Sequence, residues 1–406
     1  MTENSNLNLG PAGQLMPAEE RLEIKRKKSS MKIGVPLEIA FQENRVSLAP
    51  DSVGLIVSNG HEVFVQRGAG RNAHFSDEEY AEAGAILTDS AAEIYQCNLI
   101  LKVAPMLPSE IDLLQSRQTV VSALHFTMQS AEYFKKLMQH KTTAVAFEFI
   151  QDQSNIFPVL KAMSEISGYA AIQIAAEYLS KNDIGKGKLL GGIPGIAPVE
   201  VVILGAGTVG TFAARAALGF GADVKVFDNH IYKLRALQQN LGSQIFTSII
   251  HPKVLSKSLK NADIVIGALH SIRNKPMVVV TENMVADMKP GSVIVDVSID
   301  QGGCIETSAV TTHRDPVFIK HDVIHYCVPN IPSRVPQTAS YGLSNFFTPV
   351  IMEMGEEGGI DAFLKNNPPL RKGIYMFNGI LTNHMIGQSF GLPSKELDLL
   401  LASFQL

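Results

Sequence analysis

Residues 200–230, EVVILGAGTVGTFAARAALGFGADVKVFDNH, leave few folds open to this chain. Val201 to Leu204 form a short apolar, β-branched run, and Gly205, Gly207 and Gly210 follow in the spacing G-x-G-x-x-G. An Ala-rich stretch comes next, and Val224 to Phe227 make a second apolar run that ends at Asp228. This order predicts strand, tight turn, helix and strand, the unit from which parallel sheets are wound. Each glycine has its own task. Gly205 permits the turn, Gly207 lets backbone approach a pyrophosphate, and Gly210 lets the helix lie close to the strand, with the first helical N–H groups aimed at phosphate. Asp228 stands where an acid accepts hydrogen bonds from the adenosine ribose, which favours NAD over NADP; Lys233, one helical turn onward, is a complication. The expected cofactor-binding set is Gly205, Gly207, Thr208, Val209, Gly210, Asp228 and Lys233, with Leu269 at the end of the later run ADIVIGAL. A glycine turn also serves wherever a helix crowds a strand, but the flanking strand, helix and terminal acid together favour a dinucleotide.

At 406 residues the chain exceeds the size at which one core stops growing, so two domains are expected. The formal charge of −4 comes from 35 basic and 39 acidic residues that are intermixed. Such a balance gives no footprint for nucleic acid or an anionic membrane and points to small-molecule partners. Cys97, Cys304 and Cys327 are odd in number and scattered, which argues against a disulfide framework and fits a reducing cytoplasm. No run of about twenty apolar residues occurs. Residues 1–30, with Glu19, Glu20, Arg21 and the basic run Lys25 to Lys28, lack the apolar centre of a secretory signal. They read as a peripheral extension in which PAEERLEIKRKK favours a helix, acids first and bases last.

From Met31, strand-like and helix-like segments alternate through KIGVPLEI, PDSVGLIVSNG, HEVFVQRG, SDEEYAEAGA, NLILKVA, PSEIDLLQSR, TVVSALH, AEYFKKLMQHK and TTAVAFEFI. The alternation predicts βαβ units in a mainly parallel sheet. Lys102 follows the run Asn98 to Leu101 and His125 follows Val120 to Leu124, so both stand at carboxyl ends of strands, the rim where parallel sheets bind ligands. Arg45, in QENRVSLAP, joins them. Taken singly, each has a structural alternative as a solvated edge residue or a satisfied core histidine. Residues 155–181 read as one long helix leading into the glycine-rich unit. After Asp228 the segments NHIYKLRALQQ, ADIVIGAL, TENMVADMK closed by Gly291, and SVIVDVS predict a second doubly wound sheet. Asp300 lies just past the strand Ser292 to Val297, placed to face a nicotinamide ring. His321 and His325, four apart, would share a helical face as a metal pair, but VFIKHDVIHYCVP is strand-like and offers no third ligand, so no metal is expected. The stretch from Tyr341 to Leu406 is helical in pattern and is expected to fold back across the first domain.

The segments ENRVSLAP, LILKVAP, SALH, MSEISG, GGIPG, GAGTVG, VDVSIDQGGC and YCVPNIPSRVPQTAS, in that order from about Met31 to the C-terminus, closely resemble the alanine dehydrogenase family. That family also includes the NAD-binding subunit of proton-translocating transhydrogenases. In such enzymes an arginine and a lysine of the first domain bind the substrate carboxylate and carbonyl, a histidine does acid/base work, and an aspartate of the second domain assists. By position the resemblance assigns these roles to Arg45, Lys102, His125 and Asp300. Ser164 of MSE and Asn330 of the CVxN loop would line the nicotinamide side, Asn330 also reaching the substrate. The implied fold is α/β with two doubly wound Rossmann-like domains, a substrate domain from residues 31–158 and 337–406 and an inserted NAD domain, 159–336. The implied activity is reversible NAD-dependent oxidative deamination of L-alanine to pyruvate and ammonia, by a cytoplasmic homo-oligomer, with a hexamer suggested by relatives. The alternatives are a transhydrogenase-type NAD(H)-binding subunit, a related amino-acid dehydrogenase with another substrate, or a non-catalytic NAD-binding regulator. Three stretches depart from the family: residues 1–30, HSIRNKP at 270–276 in place of an apolar cofactor loop, and Arg334 where a small residue is usual. Arg334 either recruits a more acidic amino acid or points to solvent.

Overall fold

The computed structural model describes residues 29–40, 42–269 and 277–403, apart from the side chain of Thr127. The extension up to residue 28, with its expected helix, and the loop HSIRNKP lie outside the described residues. The first part of the chain supplies strands β1 (Lys32–Val35), β2 (Glu62–Gln66), β3 (Ile86–Thr88), β4 (Leu99–Leu101), β5 (Thr119–Ser122) and β6 (Thr143–Ala146). The middle supplies β7 (Glu200–Leu204), β8 (Asp223–Phe227), β9 (Phe246–Ser248), β10 (Ile264–Gly267), β11 (Val293–Asp296), β12 (Val317–Lys320) and β13 (Val323–Tyr326). The last part adds β14 (Ile374–Phe377) and β15 (Ile380–Leu381).

These strands form two sheets, ordered β15-β14-β6-β5-β4-β1-β2-β3 and β12-β13-β11-β10-β7-β8-β9. In each, the chain begins centrally, winds outward through two strands, then returns to the centre and winds the other way. The strand order therefore reverses between β1 and β4 in one sheet and between β7 and β10 in the other, all parallel pairs. Ligands bind beyond the carboxyl ends of strands at such reversals. Strands β4, β5, β6, β10 and β11 are buried along their whole length, as parallel strands covered on both faces must be. This is the α/β architecture, with two doubly wound sheets, that the alternating segments predict.

The helix Pro158–Ser180 is shared by both cores: Val159 and Met163 pack under the first sheet, Ala170 to Leu179 under the second. Its Gly168 permits a close approach to the helix Thr208–Gly219, since a Cβ there would stand 2.5 Å from the Val209 carbonyl oxygen. The helix Pro336–Glu356 folds back over the first sheet and buries Ala339, Leu343, Phe347 and Ile351, four apart along one face, in its core. The remainder of the C-terminal part is helical again at Ile360–Asn366, Pro368–Arg371, His384–Phe390 and Leu397–Ser403, but one segment corrects the helical reading. Ile374–Phe377 is fully buried and pairs antiparallel with β6, and Asn378 and Gly379, with φ of 48° and 78°, make the tight turn into β15. Asn-Gly is the dipeptide that such a turn prefers, so this hairpin was marked in the sequence. The segment VFIKHDVIHYCVP is a hairpin too: His321 and Asp322 form its turn with φ of 54° and 57°, and His325 lies inside β13. No helix among the described residues is long and apolar enough to cross a membrane.

Candidate active site

Beyond β7 the glycine turn is built as its spacing requires. Gly205 has φ of +113°, and a Cβ on it would lie 2.3 Å from the Ala268 carbonyl oxygen; a Cβ on Gly210 would lie 1.8 Å from the Gly205 carbonyl oxygen. Those two glycines are thus demanded by the protein's own packing. Gly207 is not: it has ordinary negative φ, and a Cβ on it would meet nothing within 4 Å. It caps the helix Thr208–Gly219 without a side-chain hydrogen bond, so the first helical N–H groups face outward with no capping oxygen. An open cradle of N–H groups at the positive end of a helix fits a pyrophosphate.

Asp228 follows β8 directly and is buried. Its Oδ2 accepts a hydrogen bond from Ala206 N (2.8 Å), and its Oδ1 accepts from His230 N (2.8 Å) and pairs with His230 Nδ1 (3.0 Å). Burial alone would raise its carboxyl, but these hydrogen bonds and the charge of Lys233 hold it below the usual range. Thr208, Val209 and Lys233 are half-buried around this end, and Leu269 is buried beside it, in a recess shared with Met277, Ser298, Gln301, Gly303 and Cys304. Ser164, also half-buried, stands one turn before Gly168 on the same face of its helix.

The rim of the first sheet is organised by charge. Lys102, immediately after β4, has no exposed surface; its Nζ donates to Glu38 Oε2 and Glu110 Oε1, both at 2.9 Å. Two carboxylates share one ammonium, so Lys102 gains more than burial takes away and its pKa is raised, while burial still pushes Glu38 upward. The crevice-facing position expected for Lys102 is therefore an enclosed one here. Arg45 is held by Glu43 in a two-pronged pair: Nε donates to Oε1 and an Nη to Oε2, each at 2.7 Å, and Arg45 N adds a third bond at 3.0 Å. Against the effect of burial, these donors, helped by Asn330, hold the Glu43 carboxyl at about 2.

His125 follows β5 in the left-handed backbone region, with φ of 46° and ψ of 56°, unusual for a residue with a side chain. Glu148, beyond β6, stabilises that turn, its Oε1 accepting from Leu124 N (2.7 Å) and His125 N (3.2 Å). The imidazole is open to solvent, yet enough protein surrounds it that burial, then the Arg45 guanidinium, lower its pKa, with Glu43 opposing.

The two rims meet at the loop 42–46. Asn330 Nδ2 donates to Glu43 Oε2 (2.9 Å), so Asn330 and Arg45 share one carboxylate. Asn44 N donates to Ser333 Oγ, Val46 N to Ser340 Oγ and His313 N to Gln42 Oε1, each at 2.9 Å. Asp300 sits on the short turn Ile299–Gln301 after β11; it is open to solvent, and burial by the surrounding protein, then the charge of Asp296, push its carboxyl up to about 6. Arg45 and Asn330 are thus joined on Glu43, and the charges of Arg45 and Glu43 reach His125, while Lys102 is enclosed with Glu38 and Glu110.

Arg334 is ion-paired with Glu177 of the long helix, and its guanidinium lies 5.9 Å from the Tyr326 ring centroid. His325 is a satisfied core histidine: Nδ1 donates to the Val323 carbonyl oxygen (2.9 Å), which leaves Nε2 to accept from Thr307 Oγ1 (2.8 Å). Sequence reasoning missed Glu38, Glu43, Glu110, Glu148, Asp296 and His230. Glu43 stands two residues before Arg45, and Asp296 ends an apolar strand, the same signal that singled out Lys102 and His125. Glu110 and His230 stand eight and two residues after Lys102 and Asp228 but carried no such mark, and Glu38 and Glu148 come from segments distant from the groups they hold.

Known proteins resemble this chain along most of its length. The sequence matches the family described as Alanine dehydrogenase/PNT, its N-terminal domain over residues 34–167 and its C-terminal domain over 171–384. An alanine dehydrogenase of Methanococcus maripaludis is 40% identical over 365 residues, 89% of this chain and 97% of that protein. A solved L-alanine dehydrogenase is 38% identical and superposes with a TM-score of 0.84 over 89% of this chain and 99% of its own. A transhydrogenase structure from Sinorhizobium meliloti, at 24% identity and a TM-score of 0.73 over 87% and 99% of the two chains, shares the fold. With both family domains matched in order along most of its length, the chain belongs to the alanine dehydrogenase/PNT family.

Proposed function

We propose that this chain catalyses the reversible NAD-dependent oxidative deamination of L-alanine to pyruvate and ammonia. The observation that carries the reading is the sharing of Glu43 by Arg45 beside the first sheet and Asn330 beside the second, with the charges of Arg45 and Glu43 reaching His125, together with a glycine cradle whose Gly207 has space for a ligand. The 40% identity to an alanine dehydrogenase over most of both chains supports the substrate. Residues 31–158 and 337–406 serve as the substrate domain and 159–336 as the NAD domain, with the helix Pro158–Ser180 belonging to both cores.

When bound, NAD supplies the hydride acceptor for the α-carbon. Gly205, Gly207, Thr208, Val209 and Gly210 hold its pyrophosphate, Asp228 and Lys233 flank the ribose, and Leu269, Ser164 and Asn330 line the nicotinamide side. Arg45 fixes the substrate carboxylate through the edge of its guanidinium that Glu43 leaves open, and Asn330 orients the same end of the substrate. Lys102 reaches the carbonyl by exchanging one of its two carboxylates, and there it stabilises the charge that develops on oxygen. His125, its pKa lowered, is neutral at pH 7 and takes up protons as the imine and carbinolamine form, with Asp300 assisting from the second sheet. We assign the protein to the cytoplasm, as a homo-oligomer.

An NADH-forming screen over the common amino acids, with NAD and NADP side by side, tests this. L-Alanine with NAD should give the highest kcat/KM. A better rate with an acidic amino acid would shift the substrate assignment, equal rates with both cofactors would defeat the role of Asp228, and silence with every amino acid would favour a transhydrogenase-type subunit.

A further inference from the structure

Strand β11 ends on Asp296, a carboxylate with no exposed surface that lies beneath the loop carrying Asp300. Its Oδ1 accepts from Ser298 N (3.1 Å) and Ser298 Oγ (2.8 Å), and its Oδ2 accepts from Cys304 N (3.1 Å) and Ser308 Oγ (2.7 Å). Cys304 Sγ stands 3.8 Å from Oδ1. These partners come from both ends of the segment 298–308, so one side chain closes it into a ring with Asp300 on the outer turn. Two glycines make room for the carboxylate. A Cβ on Gly267, the neighbour of Asp296 across β10, would lie 2.7 Å from Oδ1, and a Cβ on Gly303, with φ of +76°, would lie 2.8 Å from Oδ2. A buried carboxylate held by hydroxyls, a thiol and backbone N–H groups is costly, and none of the roles given above requires it.

We infer that Asp296 is a positioning residue for the reaction: its carboxylate holds the segment 298–308 in the conformation that presents Asp300 to the substrate. The inference rests on reading Asp300 as a group that faces the reacting carbon. The charge of Asp296 also acts on Asp300 directly and, after burial, is the next cause of its raised carboxyl pKa.

The test is Asp296→Asn, which keeps the shape, removes the charge and turns a donor toward groups that are themselves donors. A displacement of about 1 Å costs up to about 10²-fold in rate, so kcat for alanine oxidation should fall by about 10- to 100-fold while NADH affinity is retained. The acid limb of the kcat–pH profile should move to lower pH as Asp300 returns toward an ordinary carboxyl. Unchanged kcat overturns the proposal. So does a lower kcat with an unmoved acid limb, which general loosening of the loop would produce. Titration of Asp300 by 13C NMR of aspartate-labelled chain, assigned with Asp300→Asn, needs no turnover and separates the two readings. If the parent chain oxidises no alanine, the proposed function fails, and an Asp300 titration that does not move in Asp296→Asn overturns the role of Asp296 independently. Should Asp296→Asn not fold, Ser308→Ala removes one donor from Oδ2; a several-fold lower kcat with NADH affinity retained supports the proposal, and parental kcat overturns it.

Discussion

At the rim of the first sheet, Lys102 and Arg45 meet three carboxylates, Glu38, Glu110 and Glu43, within 2.9 Å, and none of the five side chains is more than 7% exposed. At the rim of the second sheet, Gly207 has no atom within 4 Å of where a Cβ would stand, and the helix behind it has no capping side chain. One rim is shaped by charges already compensated from within, the other by atoms left out. The consequence for binding differs. An anion entering the second rim finds open N–H donors, whereas a substrate carboxylate at the first must share Arg45 with Glu43 or displace a partner of Lys102. Such a rim discriminates among substrates, because only a ligand that satisfies every group it uncovers avoids leaving a buried charge unpaired.

The largest effect should come from breaking the first rim. Lys102→Ala leaves Glu38 and Glu110 buried without their cation, and removing one partner of a buried ionic cluster costs about 3–5 kcal/mol. Urea unfolding should show that loss, and adding Glu38→Gln and Glu110→Gln to the same chain should recover part of it. A loss of under ~1 kcal/mol, the range of exposed pairs, would mean that the rim is not held by charge.

Glu43 sharpens the comparison through pH. Its folded carboxyl lies at about 2, below the ordinary glutamate value of ~4.3, so between those values the unfolded chain binds more protons than the folded one. Stability from this group is complete above the ordinary value and is lost as pH falls through 2, about 3 kcal/mol in all at ~1.4 kcal/mol per unit. In Glu43→Gln that part of the acid slope should vanish from unfolding curves taken between pH 2 and 5; an unchanged slope would show that Glu43 is not the paired group.

The second rim should respond to volume instead. Gly168→Ala places a methyl 2.5 Å from the Val209 carbonyl oxygen and must push the glycine-turn helix away. Overpacking of this kind costs about 1–3 kcal/mol. Thermal unfolding should fall accordingly and NADH should bind more weakly, whereas a parental melting temperature would mean that the two helices have slack.

The same contrast decides what the sequence could tell. Gly205, Gly210 and Asp228 act within one continuous stretch, so local spacing announced the turn, and the strand order followed from the alternation of segments. The Asn378–Gly379 hairpin is equally local, but the apolar run IYMF beside it lies within a stretch whose wider pattern is helical. The enclosure of Lys102 depends on Glu38, 64 positions earlier, and the link from Glu43 to Asn330 spans 287 positions. No periodicity or motif encodes which acid folds against which base. The rim's position was therefore legible while its charge pairing was not, and Lys102, expected to face the crevice, turns inward to two carboxylates.

The central claim is a division of labour, with carboxylate binding and acid–base work centred on the first rim and nucleotide binding on the second, from which Asp300 and Asn330 also reach the substrate. NADH affinity of His125→Ala and Gly207→Ala, read by fluorescence titration with kcat measured beside it, tests this most directly. His125→Ala should bind NADH like the parent chain and lose about 10²–10⁴-fold in kcat, the usual contribution of a general acid–base. Gly207→Ala should fold with a parental melting temperature, since its methyl meets no protein atom, and bind NADH about tenfold more weakly, near 1.4 kcal/mol. If His125→Ala lost NADH affinity and kcat together, or Gly207→Ala bound NADH as tightly as the parent, the division would be contradicted.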